Sequence, residues 1–177
     1  MHRYKKGLTF KWKANPSGVL EFDFDVGGTL ADGSQWQGAK GDLRIAKPGN
    51  PDAEKPENWN KLFWVRSYIT PNSTPTAGNV ATWRLGTSTS ATAGTENDGG
   101  LSGTNLTHAN TLDDRFDNLI FLGNHTFAAN AAAIYARLGT IELDTPYVMP
   151  LLDNNLGAAI ADHGAELWLI EKILVEP

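Results

Sequence analysis

The stretch from Asn60 to Thr87 constrains the fold most, because two apolar runs flank a polar segment, Thr70 to Gly78, that carries Pro71, Pro75 and Gly78. In the first run Leu62, Trp64, Arg66 and Tyr68 share one phase of a period-two pattern, and Phe63, Val65, Ser67 and Ile69 share the other. Both phases are largely apolar. In the second run Ala81, Trp83 and Leu85 alternate with Val80, Thr82, Arg84 and Gly86. Proline removes a ladder donor and fixes φ, so a single central strand through this region is excluded and the chain must reverse. The expectation is a long-looped antiparallel pair, which needs a second hydrophobic layer to be stable.

Further strand patterns supply that layer. Leu8, Phe10 and Trp12 alternate with Thr9, Lys11 and Lys13, and Leu20, Phe22, Phe24 and Val26 alternate with Glu21, Asp23 and Asp25. Leu43 to Ala46 reads as a short edge strand in a span, Ala31 to Pro56, that is otherwise loop chemistry. Ser88 to Asn110 is rich in Ser, Thr and Gly, with Leu101 and Leu106 as its large aliphatic anchors; it reads as a surface excursion that orders against a partner. Phe116 to Leu122 reads as a strand ending in a turn at Gly123-Asn124, and Ile134 to Leu143 as a strand bulged at Gly139. Tyr147 to Met149, bracketed by Pro146 and Pro150, reads as an irregular or edge segment. Glu166 to Val175 is apolar in both phases, so it is expected in the middle of a sheet. These patterns, without helical spacing, indicate an all-β protein: a two-sheet sandwich of jelly-roll type with long irregular loops.

A chain of 177 residues is long enough for one core, so residues 19–177 are expected to form a single β-sandwich domain behind a basic N-terminal arm or edge strand, residues 1–18. The arm carries Arg3, Lys5, Lys6, Lys11 and Lys13 with no acid before residue 14, in a chain of formal net charge −5. It is expected to lie along an acidic neighbour, in the same subunit or the next. A few cations on an acidic body make a weak phosphate footprint, so nucleic acid is not the expected partner. With no cysteine, disulfides and thiolate metal sites are excluded. No apolar run approaches the length of a membrane-spanning helix, and no secretory signal pattern follows the basic start.

Catalytic signatures are absent. The four histidines sit in separate contexts, no Gly-x-Ser-x-Gly occurs, and Gly38-Ala39-Lys40-Gly41 lacks the spacing of a phosphate-binding loop. Asp23 and Asp25 read as a solvated strand face; Asp113, Asp114 and Asp117 lack the grammar of a calcium loop. The expectation is a protein that is not an enzyme and holds no cofactor or metal. Trp36 and Trp59 lie among polar residues and are the expected exposed tryptophans. They serve as anchors for a protein partner together with Phe10, Trp12 and the basic residues of the arm, or alternatively as stacking platforms of a carbohydrate-binding module.

The series Pro75-Thr76-Ala77-Gly78-Asn79-Val80, Thr95 to Gly100, Asp117 to Gly123, Pro150 and Asn155-Leu156-Gly157, followed by a hydrophobic last strand, resembles a group of tailed-phage virion proteins. The likeness covers residues 60 to 175. It implies a small jelly-roll-like structural protein made in the host cytoplasm and resident in the virion, most simply a capsid decoration or cement protein. A tail or baseplate position is the alternative. The implied partners are the major capsid protein or other virion structural proteins, and copies of itself in a homo-oligomer such as a trimer.

Overall fold

The computed structural model describes residues 3–25, 27–44, 59–108 and 117–175. The strand positions expected at Val26, Ile45, Ala46 and Phe116, and the acids Asp113 and Asp114, lie outside the described residues. Among these residues eleven strands form two sheets: β1 (Arg3–Lys13), β2 (Glu21–Asp23), β3 (Ser34–Gln37), β4 (Gly41–Asp42), β5 (Lys61–Pro71), β6 (Val80–Ser88), β7 (Leu106–His108), β8 (Ile120–Thr126), β9 (Ile134–Leu143), β10 (Tyr147–Asn155) and β11 (Ile160–Val175). The five-stranded sheet runs β2-β1-β11-β5-β9, the other β7-β3-β10-β6-β8, with β4 also paired to β10. Without the short β2, β4 and β7, the remaining strands taken in chain order read first-eighth-third-sixth in one sheet and second-seventh-fourth-fifth in the other. That interleaving is the jelly roll.

The sheets pack face to face. Phe10, Trp12, Phe63, Val65, Leu167 and Leu169 from the five-stranded sheet meet Trp83, Leu85, Val148 and Leu152 from the other in one buried cluster. Trp12 is fully buried and still satisfied, its indole N–H donating to the Ala39 carbonyl at 2.8 Å. Phe10 and Trp12 are therefore core residues and not the free anchors expected of the arm. Residues 3–6 and 9–12 pair with β11, and two of the four lysines of β1 find acids in the same chain: Lys11 with Glu166 at 2.8 Å and Lys13 with Glu21 at 3.5 Å.

Several local expectations are corrected. β5 and β6 do not pair; the Thr70 to Gly78 reversal carries the chain from one sheet to the other, where β5 pairs with β11 and β9, and β6 with β10 and β8. Tyr147 to Met149 opens β10, a central strand. It tolerates Pro150 because the carbonyl of that residue accepts from Gly38 at 2.9 Å, so its missing N–H faces the break between β3 and β4 and removes no bond to β6. Gly123-Asn124 is no turn either. β8 runs through it, and Gly123, at φ +145°, accompanies a register shift opposite Trp83 and Arg84, the signature of a bulge. The Ser88 to Asn110 excursion, as far as it is described, is ordered on its own chain, as set out next.

Candidate functional site: the open face of the five-stranded sheet

The outer faces of the two sheets are treated differently by the chain. Over the six-stranded sheet lies the polar excursion, which buries Leu101 against Met149 and Leu151 of β10, with Leu119 completing a small second core. Gly86 permits the approach, since a β-carbon there would stand 2.6 Å from Leu101 Cδ1. The Gln37 side chain accepts from the Ser102 N–H at 3.1 Å and donates to the Thr104 carbonyl at 3.1 Å. Lys40 anchors the near end: its ammonium donates to Ser88 Oγ at 2.9 Å and to the carbonyls of Ser90, Thr92 and Thr95 at 2.9, 2.7 and 3.1 Å. Burial pushes this ammonium below the ordinary lysine value, with Glu96 pulling the other way.

The outer face of the five-stranded sheet has no such cover among the described residues. Its rows follow from the register. Tyr135 of β9 lies opposite Tyr68 of β5; Arg137 lies opposite Arg66, which lies opposite Trp168 of β11, which lies opposite Lys11 of β1; Trp64 lies opposite Ile170, which lies opposite Thr9. Tyr68 and Tyr135 have ring centroids 4.6 Å apart, and Tyr135 and Trp168 are 6.1 Å apart with planes 20° from parallel. Tyr135 is 74% exposed. The ammonium of Lys11 stands 5.2 Å over the Trp168 ring, and that of Lys172 stands 5.3 Å over Trp64.

Between these side chains runs an open groove of about 460 Å³, walled by Tyr135 and Trp168, floored by Ile170, and edged by Lys6, Arg66 and Arg137. A smaller recess beside Trp64 shares Lys6, Arg66, Arg137 and Ile170 with it. Arg66 and Arg137 are both exposed, and neither makes an ion pair with a carboxylate among the described residues. Like charges placed directly opposite each other on neighbouring strands are unfavourable, so the pair raises the positive potential of the groove.

The tryptophans expected to be exposed are not. Trp36 is 9% exposed, and its indole N–H donates to Asn105 Oδ1 at 2.7 Å, while Asn105 donates onward to the Asp25 carbonyl at 2.7 Å. Trp59 is 4% exposed and stacks on Phe63 at 6.0 Å. Neither can offer a ring face to a sugar or a partner. Trp64 and Trp168, whose alternating strands fit either core packing or a subunit contact, stand on the open face. Of the remaining expected anchors, Lys6 edges the groove, Lys11 and Lys13 are held in ion pairs, and Arg3 and Lys5 lie exposed near the end of β1.

Two other polar clusters are accounted for by the fold. Asp25, Asp162 and His163 bring their ligand atoms within 4.8 Å of one another, but the carboxylates also accept from Gly27 and Gly28 and clasp that turn to β11. Ser67 of β5 and His125 of β8 hydrogen-bond across the sandwich interior, where burial pushes the imidazole down to about 4. It is neutral at pH 7. No known protein family matches this chain, and no curated protein is detectably similar to it in sequence.

Proposed function

We propose that the protein is a structural subunit of a virion, a capsid decoration or cement protein, which attaches to the shell through the projecting end of β1 and β11. The observation that carries this reading is a ribbon left with sheet on one side only. Beyond Glu171, β11 pairs with β1 alone among the described residues, Arg3 to Lys6 against Lys172 to Val175. A two-stranded ribbon is marginal in water by itself. This one also exposes Tyr4, Leu8, Leu174 and Val175 beside Arg3 and Lys5, an apolar centre with a cationic rim of the kind that docks on protein. The jelly-roll architecture and the spaced signatures across residues 60 to 175 support the virion setting.

Purified protein mixed with undecorated shells tests the reading. The double variant Tyr4→Ser, Leu174→Ser should fold, since both side chains are exposed, and lose at least tenfold in shell affinity. Unchanged shell binding by this variant would remove the ribbon as the attachment site. Location of the chain only at a tail or baseplate would move the protein from the head, and self-association abolished by the same variant would make the ribbon a contact between copies.

A further inference from the structure

The groove on the open face of the five-stranded sheet meets the terminal ribbon at Lys6 and has a chemistry of its own. We propose that it binds a sugar ring bearing a carboxylate, with Arg66 and Arg137 gripping the carboxylate and the exposed ring of Tyr135 packing on one face of the sugar.

Three features converge on that ligand. The first is the arginine pair: guanidinium groups on directly opposed residues, without a carboxylate partner among the described residues, match the planar, two-oxygen geometry of a carboxylate, and Lys6 adds a cation from β1 at the groove edge. The second is an exposed aromatic surface: Tyr135, 74% exposed and braced by stacking on Trp168 at 6.1 Å, presents a flat apolar face that suits the C–H face of a pyranose. The third is size, for a groove of about 460 Å³ lies within the range of small-ligand sites and admits one or two sugar rings.

Competing occupants fit less well. A nucleic acid strand needs a continuous cationic track, but Lys11 and Lys13 are occupied by Glu166 and Glu21, and the chain is acidic overall. A neutral sugar would leave the two guanidinium groups facing each other uncompensated. A single carboxylate answers the pair without requiring further cations.

Titration calorimetry on the full chain, with intrinsic tryptophan fluorescence in parallel, would use glucuronate, a short oligogalacturonate, glucose, oligothymidylate and a glutamate-rich peptide at one ionic strength. Saturable binding of a uronate is expected, with glucose at least tenfold weaker. The double variant Arg66→Gln, Arg137→Gln should lose at least tenfold in uronate affinity while its melting temperature stays equal or rises, and Tyr135→Ala should weaken binding with the fold intact. An oligomer that binds much more tightly than the monosaccharide would identify an acidic polysaccharide as the source of the sugar; equal affinities would identify a free sugar acid. The proposal is overturned by no saturable uronate binding, by equal affinity for glucose, by an unchanged affinity in the arginine double variant, or by tighter binding of oligothymidylate or the peptide. Shell binding by the same arginine variant separates the two sites: retained attachment with lost uronate affinity is the expected combination, and its failure on either side identifies which site was misassigned.

Discussion

The two sheets of this sandwich have opposite outer faces, and the difference lies in what the chain places over them. Above the six-stranded sheet, Leu101 and Leu119 cover Met149 and Leu151, and Gln37 and Lys40 tie the covering loop down. Above the five-stranded sheet, Trp64, Tyr68, Tyr135 and Trp168 stand among Lys6, Arg66, Arg137 and Lys172 with no covering segment among the described residues. Both outer faces carry large side chains. One is covered by its own chain, and the other has no cover among the described residues. If the open face binds as proposed, the covered face belongs to stability and the open face to recognition, and substitutions on the two should report through different measurements.

The sharpest contrast is expected from Leu101→Ala set against Tyr135→Ala. Leu101 fills the second core, and its truncation should destabilise the fold by about 3 kcal/mol, the usual cost of emptying a buried leucine site. Tyr135 projects into solvent, and its truncation should change stability by no more than about 0.5 kcal/mol. Urea midpoints of the two variants measure the difference directly. Equal losses would mean that the open face is structural after all.

Acid provides a test that does not favour either face, because His125 sits between the sheets. The unfolded chain takes up the imidazole proton near 6.5, whereas the folded chain takes it up only at about 4. Through this group stability should be flat above pH 6.5, fall as pH drops from 6.5 to 4, and level off below that, a total of about 3 kcal/mol. His125→Asn should remove that part of the pH dependence. Hydrogen exchange at pH 5 should show both faces loosening together; loosening confined to the covering loop would place the titrating group elsewhere.

Lys40→Met acts on the covered face alone. It strands the acceptors at Ser88, Ser90, Thr92 and Thr95 and should destabilise the molecule by about 2 kcal/mol, in line with hydrogen bonds to a charged group. Amide exchange should accelerate across residues 88–104 and remain slow in β5 and β11. Acceleration throughout would show that the loop is not a separable layer.

How much of this was legible in the sequence depends on the kind of information each feature needs. Alternation reveals strands, and a run that is apolar in both phases, such as Leu167 to Val175, belongs inside a sheet, as β11 does. The same property hides orientation. With Trp64 and Trp168 in one phase and Phe63 and Leu167 in the other, hydrophobicity alone does not say which side faces the core. The clue was Arg66, an arginine in the phase of Trp64 and Tyr68, which marks that phase as the outer one. Trp36 misled for the converse reason: its neighbours Gln35 and Gln37 look solvated but are buried, and Gln37 is satisfied by residues 65 and 67 positions away. Polarity in sequence reads as exposure only when the hydrogen-bond partner is water, and partners that distant are invisible to local patterns.

The smallest expected effect probes the open face most directly. Arg66 and Arg137 face each other across β5 and β9, and the repulsion between them is a burden the free protein carries. Arg66→Glu replaces that repulsion with attraction and should stabilise the unliganded chain by about 0.5 kcal/mol, the scale of an exposed cross-strand pair. The gain should shrink as salt is raised, since the face is open to solvent and its charges are screened. The same variant should abolish uronate binding, so stability and recognition move in opposite directions at one residue. A loss of stability instead, of about 1 kcal/mol or more and insensitive to salt, would mean that Arg66 is held by the fold, and the distinction between a closed face and an open one would fail at its centre.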